Sequence, residues 1–226
     1  MPENVVLSAR GLVKRYTDDG AAPAVLDGLD LDIGRGEIVA VIGRSGSGKS
    51  TLLNVIGQMD KPDRGRIEVL GADTARWRDA EQTAFRRRHL GFVFQAYNLL
   101  PTLTVGENIA LPLELNGLRP EPRVGELLDA LGLTRVAARY PDQVSGGEQQ
   151  RTAIARALAH RPALVIADEP TGNLDADTGA EVVALFERAV RESGTALLMA
   201  THSREMVGHA DRVLALAHGR LETVDA

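Results

Sequence analysis

Ile38-Val39-Ala40-Val41-Ile42-Gly43-Arg44-Ser45-Gly46-Ser47-Gly48-Lys49-Ser50-Thr51-Leu52-Leu53-Asn54-Val55-Ile56 is the stretch on which the fold turns. Its first five residues are a continuous apolar run, the pattern of a strand buried on both faces. Leu52 to Ile56 reads as the opening turns of a helix. Between them lies G-x-x-x-x-G-K-S, the spacing of a phosphate-binding P-loop. Glycines there leave room for backbone N–H groups to face phosphate oxygens, and the helix N-terminus adds a favourable dipole. Gly43, Arg44, Ser45, Gly46, Ser47, Gly48, Lys49, Ser50 and Thr51 are therefore expected around a nucleoside triphosphate. Lys49 would reach the β- and γ-phosphates, and the Ser50 hydroxyl would face Mg²⁺.

Upstream, Val5 to Tyr16 is rich in β-formers, and Leu29, Leu31 and Ile33 alternate with Asp30 and Asp32 as a half-buried strand does. A polar, Gly/Pro-marked loop is expected over Thr17 to Pro23. Downstream, Lys61-Pro62-Asp63-Arg64-Gly65 is a turn, and Ile67 and Val69 alternate again. The N-terminal third thus predicts a small antiparallel β portion beside the nucleotide strand. Ala80 to Arg88 predicts a helix whose Arg86-Arg87-Arg88 run is a solvated face, followed by a strand over Leu90 to Phe94. From Ala96 onward the signal turns helical: Val124, Leu127, Leu128 and Leu131 share one helix face. Pro101, Pro112, Pro120 and Pro122 punctuate that region into short helices. Strands over 163–167, 195–200 and 213–217, with a helix over about 176–192, then complete a mostly parallel α/β sheet.

A P-loop alone names no reaction. The second element is Leu164-Val165-Ile166-Ala167-Asp168-Glu169, an apolar strand that delivers carboxylates at its C-terminal end. Such an Asp holds Mg²⁺ in P-loop NTPases, here Asp168 acting through a water, and the neighbouring Glu169 is placed to take a proton from the attacking water or to orient it. The third element is Val144-Ser145-Gly146-Gly147-Glu148-Gln149-Gln150-Arg151, a second helix start suited to an anion.

That last motif, standing just ahead of Asp-Glu-Pro, resembles the signature of the ATP-binding-cassette (ABC) ATPases, with Val144 for Leu and Glu148 for Gln. The resemblance runs from about Val5 to the C-terminal region. It implies a single cassette over residues 1–226, an α/β P-loop NTPase of the ABC type. Its mostly parallel core sheet would carry a small antiparallel β subdomain and a helical subdomain inserted at about 96–158. It implies that Gln95 reaches Mg²⁺ and the attacking water, that His202 contacts the γ-phosphate, that Tyr16 stacks on adenine and that Asp175 lies at a dimer seam. Two ATP molecules would be sandwiched head-to-tail, with Ser145, Gly146, Gly147, Glu148 and Asp175 of one copy facing the ATP of the other. Catalysis would rest on Lys49, Gln95, Glu169 and His202, and the metal on Ser50, Gln95 and Asp168.

The composition bounds the partners. The chain of 226 residues is 44% apolar and 25% charged with a formal charge of −5, which argues against nucleic acid as the main partner. It has no cysteine, so disulfides and thiolate metal sites are excluded. Met1-Pro2-Glu3-Asn4 shows no secretory signal, and no apolar run nears the ~18 residues that would span a bilayer. The last strand ends close to Ala226, so no added regulatory domain is expected, which disfavours the sugar-importer type. No Asn-Lys-x-Asp guanine reader is found. A DNA-repair ABC protein would need a zinc module or a long coil, a translation-type one would carry two cassettes, and a non-catalytic cassette would have lost Glu169 or His202.

The resemblance therefore implies a cytoplasmic ATPase peripheral to the membrane, driving a separate transmembrane permease docked near Ala96 to Val105. Met59-Asp60-Lys61-Pro62, Asn98-Leu99-Leu100-Pro101 and Asp168 to Asp175 are similar to the lipoprotein-release, macrolide-export and cell-division cassettes. An exporter or lipid-side extractor is expected, and a cytoplasmic cell-division-type complex is the alternative.

Overall fold

The computed structural model describes residues 4–16, 23–74 and 77–224; the loop expected over Thr17 to Pro23 lies almost wholly outside them. Two sheets form. β1 (Val5–Lys14), β2 (Leu26–Gly34), β4 (Arg64–Val69) and β5 (Ala72–Asp73) pair antiparallel in the order β2-β1-β4-β5. The second sheet contains β3 (Ile38–Ile42), β6 (Leu90–Phe94), β7 (Leu164–Asp168), β8 (Ala196–Ala200), β9 (Arg212–Ala217) and β10 (Arg220–Val224). Its order is β10-β9-β3-β8-β7-β6, parallel except for β10. The P-loop strand β3 thus sits inside the sheet, flanked on both edges, as its unbroken apolar run requires.

Alternation along β3 separates two cores. Val39 and Val41 join the antiparallel sheet, with Leu52, Val55 and Ile56 of α1 (Lys49–Ile56) in the same cluster. Ile38 and Ala40 face the other layer. That layer is built from α3 (Val105–Leu115), α4 (Arg123–Ala130), α5 (Gly146–Leu158) and α6 (Ala176–Ser193). The remaining helices are α2 (Asp79–His89), leading into β6, and the five-residue α7 (Arg204–Gly208) after β8. Among the described residues no helix is long and apolar enough to cross a membrane.

The register carries the functional consequence. Phe94 pairs with Asp168, Asp168 with Ala200, and Ala200 with Val41. One row therefore crosses four strands at about 4.8 Å per strand. Gln95 follows the row by one residue, Glu169 by one, His202 by two and Gly43 by two. Ligands of open α/β sheets bind at the carboxyl ends of the strands, and every one of these residues lies there.

Two elements differ from expectation. Pro112 does not break its helix: α3 runs through it to Leu115, and the carbonyl of Pro112 accepts 2.8 Å from the Asn116 side-chain amide. The basic run is not wholly solvated. Arg87 and Arg88 are exposed, but Arg86 donates 2.6 Å to the Gln58 carbonyl and ties α2 to the end of α1.

Candidate functional site

The loop between β3 and α1 is shaped by contacts that leave no room for side chains. A Cβ on Gly43 would stand 2.7 Å from the Ser47 Oγ and 2.8 Å from the Leu216 carbonyl. Gly48, with φ of 104°, precedes α1 in a conformation suited to glycine, and a Cβ there would meet Val25 at 2.9 Å. Lys49 is folded back on the loop, its Nζ donating to the Gly43 carbonyl (2.8 Å) and the Arg44 carbonyl (3.3 Å). Arg44, Ser45, Gly46 and Ser50 are exposed, and Thr51 is half-buried. An open cleft of about 1190 Å³ runs along Gly43 to Ser47 and under the β9–β10 turn at Ala215 to Gly219.

Tyr16 stands apart from that cleft. It is 60% exposed, and its hydroxyl lies 3.1 Å from Asp60 and 3.4 Å from the Thr51 hydroxyl on α1. Lys14 Nζ sits 5.2 Å from the ring centroid and pairs with Asp60 at 2.7 Å. The ring is thus tethered through its hydroxyl beside the first turn of α1 and remains largely exposed.

The sheet edge brings the carboxylate and the histidine together. Glu169 leaves β7 with φ of 46°, its N–H bonded to the Ala200 carbonyl at 2.9 Å. This places its Oε2 2.9 Å from His202 Nδ1 and 3.3 Å from the His202 backbone N–H. The His202 ring is otherwise in solvent, beside a hollow of about 340 Å³ that also takes in Asp175. Asp168 is half-buried at the end of β7, one strand from Gln95. Gln95 is held by Asn173: its Nε2 donates to Asn173 Oδ1 at 3.1 Å, and Asn173 Nδ2 returns a bond to its carbonyl at 2.9 Å.

Hydroxyl, carboxylate and amide oxygens from Ser50, Asp168 and Gln95 suit a hard cation. Among the described residues no cluster of three His, Cys, Asp or Glu could hold a metal by itself. That donor-poor set fits Mg²⁺, which keeps its waters and takes its remaining ligands from phosphates.

The start of α5 is a separate feature. Ser145 caps it, Oγ accepting from the Glu148 N–H at 3.3 Å, while Glu148 Oε2 accepts from the Ser145 N–H at 2.8 Å. This capping box explains the Glu at 148: the backbone bond from Ser145 holds its pKa below the ordinary glutamate value. At Gly147 a Cβ would lie 2.6 Å from Thr178 Cγ2, too close without a shift, and at Gly146 it would crowd the Tyr97 hydroxyl at 3.1 Å. Asp175 caps α6, accepting from the Thr178 N–H at 3.0 Å. Neither Ser145 nor the glycines line the P-loop cleft of their own chain.

The ABC transporter family model matches residues 26–172 of this chain. The chain belongs to the ABC transporter family. A lipoprotein-releasing system ATP-binding protein LolD from Maricaulis maris is 46% identical over 96% of this chain and 96% of its own. An uncharacterized ABC transporter ATP-binding protein of Mycobacterium tuberculosis is 50% identical over 87% of this chain and 81% of its own. Among solved structures, the dimeric post-hydrolysis state of the ATP-binding cassette MJ0796, bound to ADP and Pi, superposes with a TM-score of 0.86 at 37% identity. It covers 97% of this chain and 99% of that one. The chain is an ABC-type ATPase and ATP-binding subunit, with the P-loop NTPase fold of that family.

Residue reading overlooked Asn173 as the partner of Gln95 and Asp60 as the partner of Tyr16 and Lys14. It also overlooked Asn108, fully buried, and Arg156. Asn108 carried a signal: it is the polar residue in the apolar register of Val105, Ile109 and Leu113.

Proposed function

We propose that this chain is the cytoplasmic ATPase of a membrane complex, closing head-to-tail with a second copy around two ATP molecules and driving a separate transmembrane permease of the lipoprotein-release or macrolide-export type. The observation carrying the reading is the division of the site. Asp168, Glu169, Gln95 and His202 share one sheet edge beside the loop that carries Lys49, whereas Ser145 and the glycines after it do not line the cleft of their own chain. A second copy supplies the missing wall. The near full-length likeness to a lipoprotein-releasing ATP-binding protein supports the subgroup.

In this reading Tyr16 stacks on adenine, and the loop from Gly43 to Thr51 wraps the phosphates. Lys49 Nζ leaves the Gly43 and Arg44 carbonyls for the β- and γ-phosphates. Ser50, Asp168 and Gln95 would hold Mg²⁺, which when bound offsets phosphate charge. Glu169 orients the attacking water and takes its proton, once His202 turns from that carboxylate toward the γ-phosphate. Ser145, Gly146, Gly147, Glu148 and Asp175 close the site in trans. Whatever surface the permease uses, its dimer of cassettes is the switch that the γ-phosphate sets.

Glu169→Gln keeps the ATP contacts while removing the proton acceptor, so it should form a stable dimer with Mg-ATP, measured by light scattering. A variant that stays monomeric at saturating Mg-ATP overturns the sandwich. Co-purification from membranes identifies the permease.

A further inference from the structure

The backbone just past Gln95 is held by a residue with no assigned role. Tyr97 and Asn98 both take left-handed φ values, 59° and 50°. Non-glycine residues stay in that region only where their surroundings impose it. Here the surroundings belong to one helix. Arg156, on the third turn of α5, donates through Nη1 to the Asn98 carbonyl (2.7 Å) and through Nη2 to the Tyr97 carbonyl (3.0 Å). A guanidinium fork can bond two neighbouring carbonyls at once; a lysine ammonium has no such fixed geometry.

Tyr97 also touches the other end of that helix, since its hydroxyl is what a Cβ on Gly146 would meet. Residues 146 and 156 lie about 15 Å apart along the α5 axis. Tyr97 is therefore bonded to the third turn of α5 and packs beside its first. Beyond it, buried Asn108 of α3 pins the next stretch. Its Oδ1 accepts from the Leu100 N–H at 2.9 Å, and its Nδ2 donates to the carbonyls of Leu100, Leu103 and Thr104 at 3.0–3.1 Å.

We infer that Arg156 is a positioning residue, locking Tyr97 and Asn98 to α5 so that the start of this loop and the Ser145 helix start move as one body. The inference rests on the dimeric reading above for its catalytic consequence, but not for the lock itself. A displacement of the loop by a docked partner would then be delivered to Ser145, which serves the ATP of the other copy, and not to the P-loop of its own chain.

The test compares Arg156→Met, which loses both bonds, with Arg156→Lys, which keeps the charge and one donor. Hydrogen–deuterium exchange on the full-length protein without nucleotide should rise at least tenfold at amides 97–99 in Arg156→Met, stay unchanged in α1, and be partly restored in Arg156→Lys. ATP affinity should remain within twofold while kcat falls at least tenfold, and ATP-driven dimerisation in the Glu169→Gln background should weaken at least tenfold. Unchanged exchange at 97–99, or an equal rise in α1, overturns the lock. Increased exchange at 97–99 with normal kcat overturns its catalytic role. If Glu169→Gln alone never dimerises, the sandwich reading fails, and the exchange comparison still decides whether Arg156 holds the loop.

Discussion

On the proposed head-to-tail reading Ser145 has two separable jobs, and replacing it by Asp and by Ala separates them. As a cap it makes one bond, Oγ to the Glu148 N–H, and at 3.3 Å that bond is long; the reciprocal bond from Glu148 to the Ser145 N–H does not involve the hydroxyl. Ser145→Ala should therefore cost at the low end of the capping range, about 0.5–1 kcal/mol. For a domain of this size that lowers Tm by about 1–4 °C. Asp caps as well as Ser, so Ser145→Asp should keep the wild-type Tm. In the closed dimer, however, its carboxylate would stand against the partner's γ-phosphate. One unit of like charge at ~4 Å and an effective dielectric of ~20 opposes closure by about 4 kcal/mol. At ~1.4 kcal/mol per decade, this is roughly a thousandfold loss of turnover. Steady-state phosphate release, with calorimetric titration of ATP and a thermal melt on the same preparations, gives all three quantities. Normal stability and ATP affinity with turnover lost is the expected result for Asp. Hydrolysis within a few-fold of wild type would mean that Ser145 does not meet a γ-phosphate, and the head-to-tail assembly would be wrong.

Lys49→Ala should abolish ATP binding by calorimetry while leaving the fold intact, because among the described residues Nζ serves the Gly43 and Arg44 carbonyls of its own loop. Gly91→Ala would drive a Cβ into the Ala157 carbonyl and to 3.1 Å from Val165 Cγ2, wedging β6 from α5. It should cost about 2 kcal/mol and roughly 4–8 °C of Tm. Gly125→Ala in α4, where a Cβ meets nothing within 4 Å, should instead be neutral or stabilising by about 0.5 kcal/mol in the same melt. Glu148 has its pKa lowered by the Ser145 bond, so it contributes stability fully present above the ordinary glutamate value of 4.5 and lost as pH falls through its folded value. The Tm gap between wild type and Glu148→Ala should accordingly be constant at neutral pH and shrink below pH 4.5; a gap independent of pH would refute the ionised capping box.

What could be read beforehand was whatever depends on near neighbours in the chain. An unbroken apolar run from Ile38 to Ile42 must be buried on both faces, and β3 is. Asp168 and Glu169 end a strand because an apolar run stops at them. The positions of α5 and its cap followed from Ser145 and the residues after it. Contacts between distant segments left no such trace. The Glu169–His202 pair joins residues brought together only by β7 lying beside β8. The same is true of Gln95 with Asn173, and of Arg156 with the carbonyls of Tyr97 and Asn98. β10 escaped notice for a different reason: all but one of its residues are exposed, so burial imposes no apolar alternation on it. Pro112 is the exception among the local signals: a proline's missing donor predicts a helix end, yet α3 runs on to Leu115.

The two glycine-bearing turns answer different constraints, and the contrast bears on the proposed second copy. At Gly43 and Gly48 the neighbours that exclude a Cβ are Ser47, Leu216 and Val25, all on the cleft side of the loop's own chain. Removing side chains there lets the loop close on itself around whatever lies in the cleft. At Gly146 and Gly147 the excluding neighbours are Tyr97, Leu174 and Thr178, which form a collar behind the helix start. Beside it Ser145 is exposed, Gly146 half-buried and Gly147 buried. Helix starts leave their first N–H groups without intrahelical partners. Ser145 Oγ takes that of Glu148 and its carbonyl takes that of Gln149, and those of Gly146 and Gly147 have no acceptor among the described residues. Nothing in the P-loop cleft of the same chain reaches them. A γ-phosphate presented by a second copy has the charge and the acceptor oxygens to do so, and Ser145→Asp is the substitution that denies it that place while sparing the fold.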